Sequence, residues 1–205
     1  MEKIMKARTQ RNFGIALTIF SVSLGSHSAI DITFDYSLDS SGFFAGANDY
    51  RRQVLDSAAA VFEARLLLDS TDAIAPTGIN TWALHFDNPS SGARFNAANL
   101  LISQGEIRIF VGARNLPGNF IGYAQNAYSY FGDAQWRNKF RSRDSIDKFH
   151  SFGGAISFDS LAPWYFDTQT STKEDFPNAY DFYSLAQHEI AHILGIGEGP
   201  NAFHA

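Results

Sequence analysis

The chain has 205 residues, a net charge of −5 and no cysteine. The lack of cysteine excludes disulfides, thiolate zinc sites and a cysteine protease. An acidic chain without a cluster of Lys and Arg is a poor binder of nucleic acid, so we expect no nucleic-acid partner. The length is sufficient for one domain with a sizeable core.

The N-terminus has the layout of a secretory signal peptide. Basic residues precede an apolar run from Phe13 to Leu24, and the small residues Ser26–Ala29 follow it. We predict a signal peptide over residues 1–29, cleaved after Ser28 or Ala29, and a mature domain over residues 30–205. The apolar run is shorter than the ~20 residues that span a bilayer. We therefore expect a secreted protein, extracellular or at a bacterial cell surface or periplasm, without stable membrane insertion.

The apolar patterns predict the following elements in chain order. The predicted strands are Asp31–Tyr36, Trp82–Phe86, Gly105–Gly112, Gly153–Asp159 and Trp164–Phe166. A helix is predicted over Tyr50–Leu68, with Val54, Ala58, Val61, Phe62 and Leu66 on its core face. A long aromatic loop is predicted over residues 117–151, with a short helix or a covering segment at residues 146–150. A second helix is predicted from Asp181, as N-cap, to Gly195.

The second helix carries the motif that says most about chemistry. His188 and His192 are four residues apart, so they project from one helix face and can hold a single zinc ion. Glu189 lies next to the first ligand and is suited to act as a general base on water at the metal. Gly195 accepts the left-handed conformation that ends a helix with a sharp turn. The alternative is an amphipathic helix whose histidines are satisfied by packing or water.

This H-E-x-x-H-x-x-G arrangement resembles the metzincin zinc proteases. The resemblance implies a third ligand three residues after Gly195, and that position holds Glu198 rather than His. A carboxylate is an acceptable zinc ligand, and two His plus one Glu form a known catalytic set. We favour Glu198, and two alternatives stay open: a ligand beyond residue 205, or His204.

The segment upstream of the motif is similar to the matrixins, a metzincin family. Gly153–Asp159 followed by Trp164 matches the strand before the active-site helix, and Asp181–Gln187 leads into the motif in the same way. The resemblance implies an α+β zincin fold: a twisted, mostly parallel sheet with an antiparallel edge strand, one long backing helix and the active-site helix. It also implies that Gly153–Asp159 is the edge strand, so that its central residues bind extended substrate by strand addition. These substrate-binding residues are Gly154, Ala155, Ile156 and Ser157.

Three details bear on the other metal sites that the resemblance implies. Ser157 stands where matrixins carry a His for a structural zinc, so we predict no structural zinc. The only methionines are Met1 and Met5, so the Met-containing turn of metzincins has no counterpart after the helix. We interpret the chain as truncated at its C-terminus, and the alternative is an incomplete site. Asp159 matches one acidic position at which matrixins bind calcium, which makes Ca2+ a second cofactor to consider.

Together these features predict a secreted zinc-dependent endopeptidase that acts on protein or peptide substrates. Glu189 is the predicted catalytic residue, and His188, His192 and Glu198 are the predicted zinc ligands. Two alternatives remain: a non-catalytic surface or binding module with a zincin fold, and a zinc hydrolase of a non-peptide amide.

Overall fold

A computed structural model describes residues 28–68, 72–141, 151–170, 172 and 175–196. Eleven strands and three α-helices occur in these ranges. The strands are β1 Ser28–Ala29, β2 Asp31–Asp35, β3 Leu67–Leu68, β4 Thr81–Asp87, β5 Arg94–Ala98, β6 Glu106–Arg114, β7 Gly122–Gln125, β8 Ala127–Phe131, β9 Gly153–Asp159, β10 Trp164–Tyr165 and β11 Tyr180–Asp181. The helices are α1 Tyr50–Glu63, α2 Ala134–Arg141 and α3 Phe182–Ile193, with a short 3-10 turn at Gly46–Asn48.

The main sheet has the strand order β2-β6-β9-β7. Strand β6 pairs in parallel with both β2 and β9, while β7 runs antiparallel to β9 at the edge. Strands buried on both faces are expected to be apolar along their length. Residues 109–113 of β6 and residues 153–156 of β9 have this composition. The expected class is confirmed at this level: the domain is mixed α+β, with a mostly parallel sheet and an antiparallel edge strand.

The identity of the edge strand was predicted wrongly. Gly153–Asp159 (β9) lies inside the sheet, because it pairs with β6 on one side and with β7 on the other. Its residues 153–158 are all buried, so Gly154, Ala155, Ile156 and Ser157 have no free edge for a substrate. The strand at this edge of the sheet is β7, Gly122–Gln125, and β2 lies at the opposite edge.

A second sheet, with the antiparallel order β5-β4-β8, covers one face of the main sheet. Phe110 of β6 packs in a cluster with Trp82 and Phe86 of this sheet and Phe140 of α2. On the opposite face, Ile109 and Val111 pack against α1 and α3. The domain therefore has three layers: two helices, the main sheet, and the antiparallel sheet with α2.

Two predictions about local structure need correction. The predicted long loop over residues 117–151 contains β7, β8 and α2, because tyrosines alternate with small residues along β8 and Trp136 and Phe140 of α2 are buried. Residues 142–150, including the predicted segment at 146–150, lie outside the described ranges. The first helix ends at Glu63 rather than at residue 68, since Leu67–Leu68 pairs with β1.

The predicted signal peptide lies mostly outside the described residues. Its last two residues form β1, which pairs with β3 in an antiparallel ladder. In the part of the chain that the structure describes, no helix is both long and apolar enough to cross a bilayer.

Glu106 joins the first residues of β6 to their neighbours through a buried carboxylate. Its Oε1 accepts from the Arg108 guanidinium at 2.6 Å and from the Thr33 hydroxyl at 3.0 Å, and its Oε2 accepts from the Ser103 N–H at 2.8 Å. Burial alone would raise the pKa of this carboxyl, but the hydrogen bonds outweigh burial and hold the pKa of Glu106 below its usual value. The ionised form thus stabilises the fold.

We predict that Glu106→Gln lowers the free energy of unfolding by roughly 1.5–3 kcal/mol at pH 7, because a charged hydrogen-bond acceptor is lost. Since the folded pKa is lowered, this contribution is complete above about pH 4.3 and disappears as the pH falls through the folded pKa. Urea unfolding at pH 7 and pH 3 should show the two proteins converging in acid. Asp49→Asn, which removes an exposed 3.5 Å ion pair with Arg52, should change stability by less than about 1 kcal/mol; an equal loss in both variants would contradict the prediction.

Candidate metal centre

The helix that carries the motif begins where the sequence predicts. The Asp181 side chain accepts hydrogen bonds from the backbone N–H groups of Tyr183 and Ser184, at 3.1 and 3.2 Å. Asp181 itself has an extended backbone, so it is the N-cap. A carboxylate here also interacts favourably with the helix dipole. The cap therefore fixes the register with which α3 begins.

The same helix ends in a Schellman turn. Gly195 has a φ of 82°, which favours glycine. The Gly195 N–H donates to the His192 carbonyl at 2.9 Å, and the Ile196 N–H donates to the Ala191 carbonyl at 2.8 Å. These two bonds are the pattern of that motif. The expected sharp turn after His192 is confirmed.

The two histidines converge on each other. Their Nε2 atoms are 3.0 Å apart, and the rings are nearly perpendicular, with centroids separated by 4.5 Å. Two nitrogens at this separation can both lie about 2.0–2.1 Å from one zinc ion. Two histidines without a metal have the same Nε2–Nε2 separation when the N–H of one ring donates a hydrogen bond to the nitrogen of the other. His188 is exposed and His192 is half-buried, so the pair can be reached from solvent.

Glu189 lies beside this pair but faces the sheet. Its side chain is buried, with 5% of the residue exposed. The carboxylate lies against Gly122, the first residue of β7: a Cβ atom built on Gly122 would be 2.8 Å from Glu189 Cδ. The carboxylate is thus at the start of the edge strand, on the side of the helix that faces the sheet.

Asn126 connects the other end of the edge strand to the same helix. Its side-chain NH2 donates to the carbonyls of His192 and Ile193, at 3.3 and 3.2 Å. These carbonyls belong to the last turn of α3, where the helix itself leaves carbonyls without partners. Gly122 and Asn126 thus hold α3 against β7. The sequence prediction missed both residues, because an isolated Gly and an isolated Asn in an aromatic segment give no signal of this role.

Neither predicted candidate for a third zinc ligand within the chain is among the residues that the structure describes. Glu198 and His204 both lie beyond Ile196, the last described residue. Within the described ranges, no group of three or more His, Asp or Glu side chains is placed to hold a metal ion. The described part of the predicted site therefore contains two imidazole nitrogens 3.0 Å apart and the carboxylate of the residue that follows His188.

Ser157 and Asp159, which the sequence analysis also named, have structural roles in and after β9. Ser157 is buried in β9. Asp159 Oδ1 accepts from the backbone N–H groups of Leu116 and Leu161, at 3.4 and 3.2 Å, and so closes the turn after that strand. His192 Nδ1 is buried and has no hydrogen-bond partner among the residues of the described ranges. A histidine that binds a metal through one ring nitrogen usually donates a hydrogen bond from the other nitrogen, and the described residues provide no acceptor for it here.

Comparisons of the chain with protein-family models, with curated protein sequences and with solved structures found no match. The metzincin resemblance therefore stays a prediction from the motif. Function has to be argued from the side chains of the site and the chemistry they allow.

We predict that Gly122→Ala displaces the Glu189 carboxylate, since the added methyl group has no room beside it. The expected cost is about 1–3 kcal/mol of folding stability. A displacement of about 1 Å at a catalytic group can reduce the rate about 100-fold, so any peptidase activity should fall by at least tenfold. Thermal unfolding and peptide hydrolysis would measure the two effects. Gly118→Asn is the control, because Gly118 has a φ of 67° and open space around it, and Asn tolerates that backbone conformation. Equal losses of stability and activity in both variants would be evidence against close packing of Gly122 on Glu189.

Proposed function

We propose that this protein is a secreted, zinc-dependent endopeptidase with a zincin-like fold. The single observation that carries the proposal is the convergence of His188 and His192, whose Nε2 atoms are 3.0 Å apart, on the helix that also carries Glu189. Two neutral imidazoles are good zinc ligands. Glu198, which follows the turn at Gly195, is the proposed third ligand.

Strand β7 pairs on one side only among the described residues, and its other side is the proposed substrate-binding edge, in place of the buried β9. An extended peptide can add to an exposed sheet edge through main-chain hydrogen bonds. Strand β7 has this position in the main sheet, and the Glu189 carboxylate lies against its first residue. A peptide aligned on this edge would pass close to the carboxylate and the histidine pair.

Each residue then has a defined part in the reaction. When bound, zinc supplies Lewis-acid polarisation of the peptide carbonyl and acidifies water. His188 and His192 would hold the ion through Nε2. Glu189 accepts the proton of the attacking water and then delivers it to the leaving nitrogen. The edge strand aligns the peptide, which keeps the carbonyl within reach of these groups.

A non-catalytic zincin-like binding module is the second candidate. It is favoured by the lack of a three-ligand cluster within the described ranges. In such a protein the histidine pair would bind metal without turnover.

We predict that the full-length mature chain binds one zinc ion per molecule and hydrolyses casein or gelatin. Glu189→Gln should still bind the metal, and its activity should be about 100- to 10,000-fold lower than that of the wild type, which is the usual contribution of general acid–base catalysis. Calorimetry and a fluorogenic protein substrate would measure binding and turnover. The matched control is Asp56→Asn, because burial, followed by the charge of Glu63, raises the pKa of Asp56. Its charge does not stabilise the fold, and this variant should keep full activity.

Three outcomes decide between the candidates. Zinc binding with hydrolysis that depends on Glu189 supports the peptidase. Zinc binding without hydrolysis supports the binding module. Failure to bind zinc at one ion per chain, or zinc binding unchanged in His188→Ala, would refute both.

A further inference from the structure

A second cluster of chemically active side chains lies on the exposed face of the antiparallel sheet. His85 of β4 stands between Asn96 of β5 and Ser129 of β8. Its Nδ1 is 2.7 Å from Asn96 Oδ1, and its Nε2 is 2.6 Å from Ser129 Oγ. The three side chains form one continuous hydrogen-bonded chain.

The strand register explains why they meet. His85 is directly opposite Asn96 across the β4-β5 ladder. Ser129 is opposite Ala83, two residues before His85, and is therefore its diagonal neighbour across the β4-β8 ladder. Because side chains alternate along a strand, all three belong to the same outward face. The main sheet lies on the other face, so the cluster is open to solvent.

The hydrogen bonds also assign the protons. An amide oxygen can only accept, so Asn96 Oδ1 places the imidazole proton on Nδ1. Nε2 then carries the lone pair and accepts the hydroxyl proton of Ser129. A hydroxyl bonded to a base, with the base oriented by a third group, is the arrangement of an activated nucleophile.

A depression of about 270 Å³ adjoins the serine. Its walls include Ala83, Ala98, Asn99, Ser129 and Phe131. The two alanines leave the space open, and Phe131, which is 68% exposed, supplies an apolar side. A depression of this size and character suits a short acyl chain.

Asn99 provides a hydrogen-bond donor in the same depression. Its Oδ1 accepts from the backbone N–H of Trp82 at 3.2 Å, and this bond fixes the orientation of the amide. The NH2 group is therefore the end of the side chain available to a substrate carbonyl. A donor in the same depression as the nucleophile can stabilise the oxyanion of acyl transfer.

We propose that Ser129, His85 and Asn96 form a second catalytic site, independent of the histidine pair on α3, which hydrolyses esters of short carboxylic acids. Ser129 Oγ forms a bond to the ester carbonyl carbon, while its proton passes to His85 Nε2. The C–O bond to the alcohol then breaks, and His85 returns this proton to the leaving oxygen. Water attacks the acyl-serine, gives a proton to His85, and releases the acid as Ser129 regains its hydrogen.

The test uses the full chain with p-nitrophenyl acetate and with a fluorophosphonate, which bonds to activated serines and releases fluoride. We expect one phosphonate per chain on Ser129, located by peptide mass mapping, and ester hydrolysis at least tenfold above that of Ser129→Ala. His85→Ala should abolish both signals, and Asn96→Ala should reduce them at least tenfold. Ser57→Ala, which removes an exposed hydroxyl on α1, should change neither.

Each result decides the proposal. Both signals should persist in EDTA, which separates this site from the metal centre. Wild-type labelling no faster than that of Ser129→Ala would overturn the proposal. Labelling that is unchanged in a folded His85→Ala variant, verified by circular dichroism, would also overturn it.

Discussion

The close approach of α3 to the main sheet at two glycines determines the geometry of the candidate metal centre. The Glu189 carboxylate lies against Gly122, and Ile193 Cδ1 would be 2.8 Å from a Cβ atom on Gly154. Glu189 and Ile193 are four residues apart, so they form one stripe of the helix. Both are buried against the sheet. This orientation turns the neighbouring stripe, which holds His188 and His192, toward the open side.

The two ends of α3 keep this orientation in place. Asp181 caps the first turn, and Asn126 donates to carbonyls of the last turn. Rotation of the helix about its axis would break the cap and remove Ile193 from its place over Gly154. The carbonyl end of a helix carries partial negative charge, which favours a cation near the last turn. His192 belongs to that turn, so the helix dipole and the imidazole pair both favour a positive ion at the same place.

The sequence predicts α3 well because local signals determine it. Asp181 and Gly195 mark its ends, and the His spacing follows from helical geometry alone. Strand β9 is also predicted with its observed bounds, but its place within the sheet is not, since that depends on which strand pairs with its second side. The partner is β7, whose four residues, Gly122–Gln125, are too few to show an alternating pattern. Strand β5 is missed for a different reason: its residues do alternate between outward and inward positions, but Ala98 points outward and Ala97 inward, so the sequence RFNAA shows little apolar alternation. Zinc binding and catalysis stay predictions, because Glu198 lies outside the described residues.

The two histidine sites differ in what their ring nitrogens can do. In the pair on α3, nitrogen faces nitrogen. A shared cation satisfies both lone pairs there, whereas a proton serves only one hydrogen bond between them. In the antiparallel sheet, both nitrogens of His85 already contact polar side chains: Nδ1 faces the amide oxygen of Asn96, which accepts hydrogen bonds, and Nε2 faces the hydroxyl of Ser129, which can donate one. A metal ion on its Nε2 would have to displace the Ser129 hydroxyl, and Asn96 would keep the proton on Nδ1. The first arrangement therefore suits cation binding and the second suits proton transfer, although both use the same side chain.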